Sequence, residues 1–105
     1  MIPEPSPTAL SPALVDDLAA ALSSVRTPGE ARALLADLCT PAEVNSLAER
    51  WQVARLLDTG TMTYREIHDA TGVSTTTIVR VARFLRQEGN RGYRLLLDRA
   101  AAASA

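Results

Sequence analysis

The sequence predicts an all-α protein of about six helices, and three observations support this fold class. Alanine, leucine, arginine and glutamate, which favour helices, are abundant in the 105-residue chain. Apolar side chains recur at intervals of three and four residues, the period of an amphipathic helix. No segment shows the two-residue alternation of β-branched side chains that is typical of a strand.

Prolines mark where the helices of the first half begin. Residues 1–8 contain three prolines, so residues 1–10 are expected to be a disordered tail ahead of one domain, residues 11–105. In Ser11-Pro12 an N-cap residue precedes a proline at the first helical position, and Thr40-Pro41 repeats this signal. The predicted helices begin at Pro12, Pro28 and Pro41, and the third ends near Thr59, before Gly60.

One stretch, MTYREIHDATGVSTTTIVRVARFLRQEG, contains the most informative pattern of the chain. Thr63 is a good N-cap, and Glu66 stands at the capping-box position three residues later. Gly72 can adopt a positive φ at a corner, and Ser74 can cap a second helix. Two short helices joined by a glycine-containing turn form a helix-turn-helix, predicted over about residues 63–88, whose second helix normally enters the major groove of DNA.

The second helix of this pair has one apolar face and one basic face. At roughly 100° per residue, the apolar face lies within about 60° of Ile78. Its other members are Val81, Ala82 and Leu85. The opposite arc carries Thr76, Val79, Arg80, Arg83, Arg86 and Gln87. No acidic residue occurs between Asp69 and Glu88, and arginine suits bidentate contacts with phosphate or guanine. A solvated charged face is the alternative, but the single sign of charge favours DNA binding.

The net charge of −1 conceals a division along the chain. Residues 1–59 contain four arginines and eight acidic residues, a net charge of −4, whereas residues 60–105 contain seven arginines and four acidic residues, a net charge of +3. This distribution is compatible with a basic recognition surface on an acidic body. Because each chain can neutralise few phosphates, non-specific DNA affinity is expected to be weak unless two chains act together.

The chain is short of the side chains that enzymes and metal sites need. It contains no lysine, one histidine (His68) and one cysteine (Cys39), so we expect no enzyme activity and no metal site. His68 is interpreted as a surface or phosphate-adjacent residue. The start of the chain is proline-rich rather than basic and then apolar, and no apolar run is long enough for a membrane span. We therefore expect a cytoplasmic protein with no membrane partner.

The last helix indicates that chains associate. The chain breaks at residues 89–92, and a final helix is predicted from Tyr93 to about Ala103. Its three successive leucines, residues 95–97, point in different directions, so a small monomer cannot bury them all. We therefore expect an obligate, intertwined homodimer. A helical protein-interaction module is the alternative, although it leaves the basic arc unexplained.

Several motifs together resemble the Trp-repressor superfamily, and most closely its YerC/YecD-type branch of helix-turn-helix regulators. They are LCTPAE at residues 38–43, the Leu47–Leu57 helix, TIVR at residues 77–80 and GNRGY at residues 89–93. The similarity covers roughly residues 10–100. It implies an intertwined homodimer that binds a palindromic operator in double-stranded DNA, and we expect a transcriptional repressor.

The resemblance also assigns roles to individual residues. Residues 75–77 and Val79 stand where the recognition helix of the family meets bases, and Arg65 stands where the preceding helix contacts DNA. The expected DNA-binding residues are Arg65, Ser74, Thr75, Thr76, Thr77, Val79, Arg80 and Arg83.

The resemblance implies an effector pocket too, with two departures from the family pattern. Arg50 and Arg80 match two arginines that flank a tryptophan ligand, and Thr40 matches another pocket residue. The family pocket has a glycine where this chain has Val81 and a serine where it has Phe84, so an indole is not expected to fit. No cofactor is predicted beyond a small-molecule effector such as another amino acid. Operator binding without a small molecule is the alternative.

Overall fold

The computed structural model describes residues 11–87 and 89–104, in which all regular secondary structure is helical. The helices are α1 (Pro12–Ser23), α2 (Pro28–Leu38), α3 (Pro41–Thr59), α4 (Tyr64–Thr71), α5 (Thr75–Arg86) and α6 (Gly92–Ser104). The predicted all-α fold class is therefore confirmed. The predicted tail, residues 1–10, lies outside the described residues. Within the described residues, no helix combines the length and the apolar character of a membrane span.

The helix-turn-helix forms through the local interactions that the sequence predicts. The Thr63 hydroxyl accepts a hydrogen bond from the Glu66 backbone N–H at 3.1 Å, and the Glu66 carboxylate accepts one from the Thr63 N–H at 3.0 Å. Gly72 ends α4 with a φ of 75°, in the left-handed region. The Ser74 hydroxyl then caps α5 by accepting a hydrogen bond from the Thr77 N–H at 3.2 Å. Only residues 72–74 separate the two helices.

The chain divides into two compact units, the first ending at Thr40 and the second beginning at Pro41. The first unit contains α1 and α2, and neither helix has a buried residue. Most of their large apolar side chains are exposed to solvent. Those at least 40 % exposed are Leu14, Val15, Leu18, Leu22 and Leu38.

The second unit, α3 to α6, contains the hydrophobic core that positions the helix-turn-helix. Its buried residues are Val53, Ala54, Leu57, Ile67, Val73, Ile78, Val81, Ala82 and Leu97. Helix α5 packs against α3, α4 and α6, and α6 also packs against α3. The predicted apolar face of α5 is the one that is buried, since Ile78, Val81 and Ala82 are core residues and Leu85 packs against them.

Two helices of the second unit bury only one side. Sequence analysis predicts α6 leucines facing three directions; of these only Leu97 is buried, while Leu95 and Leu96 are about half exposed. Helix α3 buries Val53 and its neighbours, but Leu47 near its start remains 44 % exposed. The chain by itself thus leaves apolar surface uncovered on both units.

An ionic cluster joins the end of α3 to α6. The Arg94 guanidinium donates to both carboxylate oxygens of Asp58, at 2.8 and 3.1 Å, and its Nε donates to Asp98 at 2.9 Å. The bidentate hydrogen bonds from Arg94 lower the pKa of Asp58 below its ordinary value. The cluster therefore connects α3 and α6, two of the helices against which α5 packs.

Candidate nucleic-acid interface

The turn between α4 and α5 is closed by a histidine. The Nδ1 N–H of His68 donates to the backbone carbonyl of Val73 at 2.7 Å, and the Val73 side chain is buried in the core. The Thr71 hydroxyl accepts a hydrogen bond from the Val73 N–H at 3.1 Å. Sequence analysis interprets His68 as a surface or phosphate-adjacent residue. The structure instead places it on α4, half-buried, with its side chain hydrogen-bonded to the turn between the two helices.

The face of α5 opposite the core is exposed and carries the arginines of the helix. Its exposed residues are Thr75, Thr76, Val79, Arg80, Arg83 and Arg86. No acidic side chain lies on α5. Short hydroxyl side chains at its start allow the close approach of another backbone, while the arginines supply hydrogen-bond donors in a fixed geometry. Most of the predicted DNA-binding residues therefore share one open surface.

Two of the predicted DNA-binding residues are already engaged with each other. Ser74 accepts the Thr77 N–H at the start of α5, and its hydroxyl also donates to the Thr77 hydroxyl at 3.0 Å. Thr77 is half-buried, in contrast to Thr75 and Thr76. The arrangement indicates that Ser74 and Thr77 shape the start of α5, and that the two threonines between them are the more open groups.

Helix α4 contributes one exposed arginine to the surface of the helix-turn-helix. Arg65 lies 3.6 Å from Asp69, one turn further along the helix, and both side chains are largely exposed. Hydrogen bonds from Thr63 lower the pKa of Glu66, which keeps a negative charge at the start of α4. Arg65 is thus the exposed cation on a helix that otherwise carries acidic side chains at its surface.

A cavity of about 440 Å³ lies between α3, α5 and α6 in the second unit. It is lined by Arg50, Trp51, Arg80, Val81, Phe84, Asn90, Gly92, Tyr93 and Leu96. Four of the five predicted effector residues are therefore brought together. The fifth, Thr40, ends the first unit. The lining combines two guanidinium groups with aromatic and aliphatic walls, which suits a small anion that has an apolar part.

Aromatic contacts shape two walls of this cavity. The Arg80 guanidinium carbon lies 4.6 Å from the centre of the Phe84 ring, a cation–π contact. Trp51 and Tyr93 stack with ring centres 6.4 Å apart and planes inclined by 21°. Sequence analysis names neither Trp51 nor Tyr93 as a pocket residue. The GNRGY motif, used above only for the family resemblance, contributes Asn90, Gly92 and Tyr93 to the lining of the cavity.

Comparison with known proteins identifies the family. A family model described as "Trp repressor protein" matches residues 13–101. The chain belongs to the Trp repressor family. This match confirms the resemblance that the motifs indicated. Because the family consists of DNA-binding regulators, the exposed face of α5 and the cavity beside it are the two regions to examine for DNA and ligand binding.

Relatives of the chain include proteins with solved structures. The YerC protein of Bacillus subtilis, which is described as uncharacterised, is 44 % identical over 85 residues, covering 81 % of this chain and 80 % of YerC. A TrpR-like protein from Eubacterium eligens has a TM-score of 0.76 and 38 % identity, covering 85 % of this chain and 90 % of its own. A candidate Trp repressor from Staphylococcus aureus has a TM-score of 0.78 and 37 % identity, covering 87 % and 89 %. Fold and family are thus shared over most of the chain.

Proposed function

We propose that this member of the Trp repressor family is a sequence-specific, cytoplasmic DNA-binding repressor rather than an enzyme. The single observation that carries the proposal is the exposed face of α5, which is free of acidic residues and presents Thr75, Thr76, Arg80 and Arg83 together. In the proposed complex α5 lies in the major groove, where the threonines meet base edges and thymine methyl groups, and Arg83 meets phosphate.

We further propose that two copies of the chain form the intertwined homodimer that the sequence predicts. Apolar side chains on α1, α2, α3 and α6 remain exposed in the single chain, which is the surface a second copy would cover. A dimer also doubles the number of arginines that face DNA. Because the two recognition helices would be related by a twofold axis, the operator is expected to be palindromic.

For the cavity we propose a small-molecule effector that carries a carboxylate. Arg50 and Arg80 would bind the carboxylate, and Trp51 would contact an apolar side chain. Tryptophan is disfavoured because Val81 and Phe84 replace the small residues of the family pocket. The Arg80–Phe84 contact supports a second version, in which the protein's own ring takes the place of a ligand and the operator is bound without an effector.

Selection of duplexes from a random DNA library with dialysed protein tests the proposal. We expect a palindrome whose affinity falls steeply with salt, because phosphate contacts release counterions. The selection is repeated with each of the twenty amino acids, and enrichment that depends on one of them identifies the effector. Equal enrichment in all arms supports the ligand-free version. If no arm enriches a sequence, the protein is not a sequence-specific regulator, and a helical protein-interaction module becomes the better interpretation of its function.

A further inference from the structure

A second, smaller concavity of about 120 Å³ lies on the outside of the helix-turn-helix, between the start of α4 and the second half of α5. It is lined by Tyr64, Val79, Ala82, Arg83, Arg86 and Gln87. We call it the outer cleft. Its polar groups are a phenol, two guanidinium groups and an amide, and among the described residues, 11–87 and 89–104, neither an aspartate nor a glutamate lines it. Donors predominate, and two of them carry permanent positive charge, so the cleft suits an anion.

One of the two arginines is held in place from behind. The Arg86 guanidinium donates to the carbonyl oxygen of Leu57 at 3.4 Å, near the end of α3, and the same oxygen accepts the Gly60 N–H at 3.1 Å. Its charge also contributes to the lowered pKa of Asp58, after the larger contribution of Arg94. An arginine anchored at a helix end loses less conformational freedom when it binds a ligand. The Arg86 side chain, which lines the outer cleft, is therefore held in place before a ligand binds.

The position of the cleft indicates which anion it receives. Val79 and Arg83 line it and also belong to the exposed face of α5, which under the proposed function lies in the major groove. A group bound between that face and the start of α4 would be at the edge of the groove, where the sugar–phosphate backbone runs. Tyr64, 39 % exposed, forms the wall on the α4 side.

We propose that the outer cleft binds one phosphate of the DNA backbone in each half-site, with the Tyr64 hydroxyl and the Arg83 and Arg86 guanidinium groups as donors. The proposal rests on the proposed function and adds Tyr64 and Arg86 to the DNA-binding residues that the sequence predicts. Val79 contacts the adjoining sugar. These contacts set the register of α5 in the groove and carry no base preference of their own.

The test uses the duplex selected with the parent protein and variants at two walls of the cleft. Tyr64→Phe removes only the hydroxyl, and Arg86→Gln removes one charge. We expect Tyr64→Phe to weaken binding about five-fold for every sequence, and Arg86→Gln to lower the salt slope by about one. Arg99→Ala, at an exposed arginine of α6, is the matched control for a lost charge, and it should leave the salt slope unchanged.

A chemical probe then locates the phosphate. Single phosphates of the selected duplex are replaced by uncharged methylphosphonates, and binding is measured for parent and Tyr64→Phe protein. We expect one position per half-site at which the replacement weakens the parent but not Tyr64→Phe, since the variant has already lost the contact. If both cleft variants bind DNA like the parent, or if either variant prefers different bases, the proposed phosphate site is wrong while the proposed function stands. Failure of the parent to select any duplex overturns the proposed function and the cleft with it.

Discussion

At the scale of single residues, the angle of the helix-turn-helix depends on a few short-range contacts. Gly72 provides the left-handed backbone, and a hydrogen bond from His68 to the Val73 carbonyl closes the turn that follows. The buried Val73 side chain ties this turn to the core. His68 on α4 thus helps to fix the position of α5.

Replacing His68 with alanine should destabilise the protein. The Val73 carbonyl would lose its donor in a partly buried place, which costs about 1 kcal/mol in the free energy of unfolding. Urea unfolding followed by Trp51 fluorescence measures this change. Asp69→Ala is the control, because the exposed pair of Asp69 with Arg65 contributes little. Equal stability of His68→Ala and parent would show that the hydrogen bond does not hold the turn.

At the scale of helices, the sequence predicts well where each helix begins and ends, but it predicts poorly which distant residues the helix contacts. The capping box at Thr63 and the turn at Gly72 involve residues three or four positions apart, so their signals lie in the local sequence. The partner of Arg94 is Asp58, 36 positions away, which no local pattern indicates. The cavity is likewise formed by residues of three helices and of the segment before α6, which are far apart in the sequence. Only the lining residues that match the pocket of the family could therefore be predicted from the sequence.

The Asp58–Arg94 pair should make stability depend on acidity. Arg94 lowers the pKa of Asp58 in the folded protein, below about 3.9 for an unfolded aspartate. The stabilisation that the Asp58–Arg94 pair contributes is therefore complete above the pKa of Asp58 in the unfolded chain, and it disappears as the pH falls through the pKa of Asp58 in the folded protein. Melting temperatures from pH 7 to pH 2 should fall towards those of Asp58→Asn, which is less stable at neutral pH. Asp37→Asn, at an exposed residue of α2, should melt like the parent at neutral pH. Parallel curves for Asp58→Asn and the parent would exclude the pair as a stabilising contact.

At the scale of the whole molecule, the two units of the chain differ in what they bury. The second unit has a core, whereas α1 and α2 have no buried residue. Leu14, Leu18 and Leu22 recur every four residues and so share one side of α1. An amphipathic helix gains most of its stability from packing its apolar side. Formation of α1 and α2 in solution is therefore expected to depend on association.

Charged residues on the apolar side of α1 should prevent association. Leu18→Asp combined with Leu22→Asp places two carboxylates on the surface that a second copy is expected to cover. Sedimentation equilibrium should show a dimer for the parent and a monomer for this variant, because burial of unpaired charge opposes association. Ser23→Asp adds a charge at a polar position of the same helix and should remain dimeric. A monomeric parent at all concentrations would contradict the intertwined dimer.

The exposed cations of α5 are all arginines, and this restricts how a cell could control them. A guanidinium keeps its proton at every physiological pH, and it is not a substrate for the acetylation that neutralises lysine. The chain has no lysine at which such a reaction could occur. Neither acetylation of side chains nor a shift in pH within the physiological range can therefore neutralise the charge of this surface. Under the proposed function, release from DNA would therefore have to come from a change in geometry or from the number of copies present.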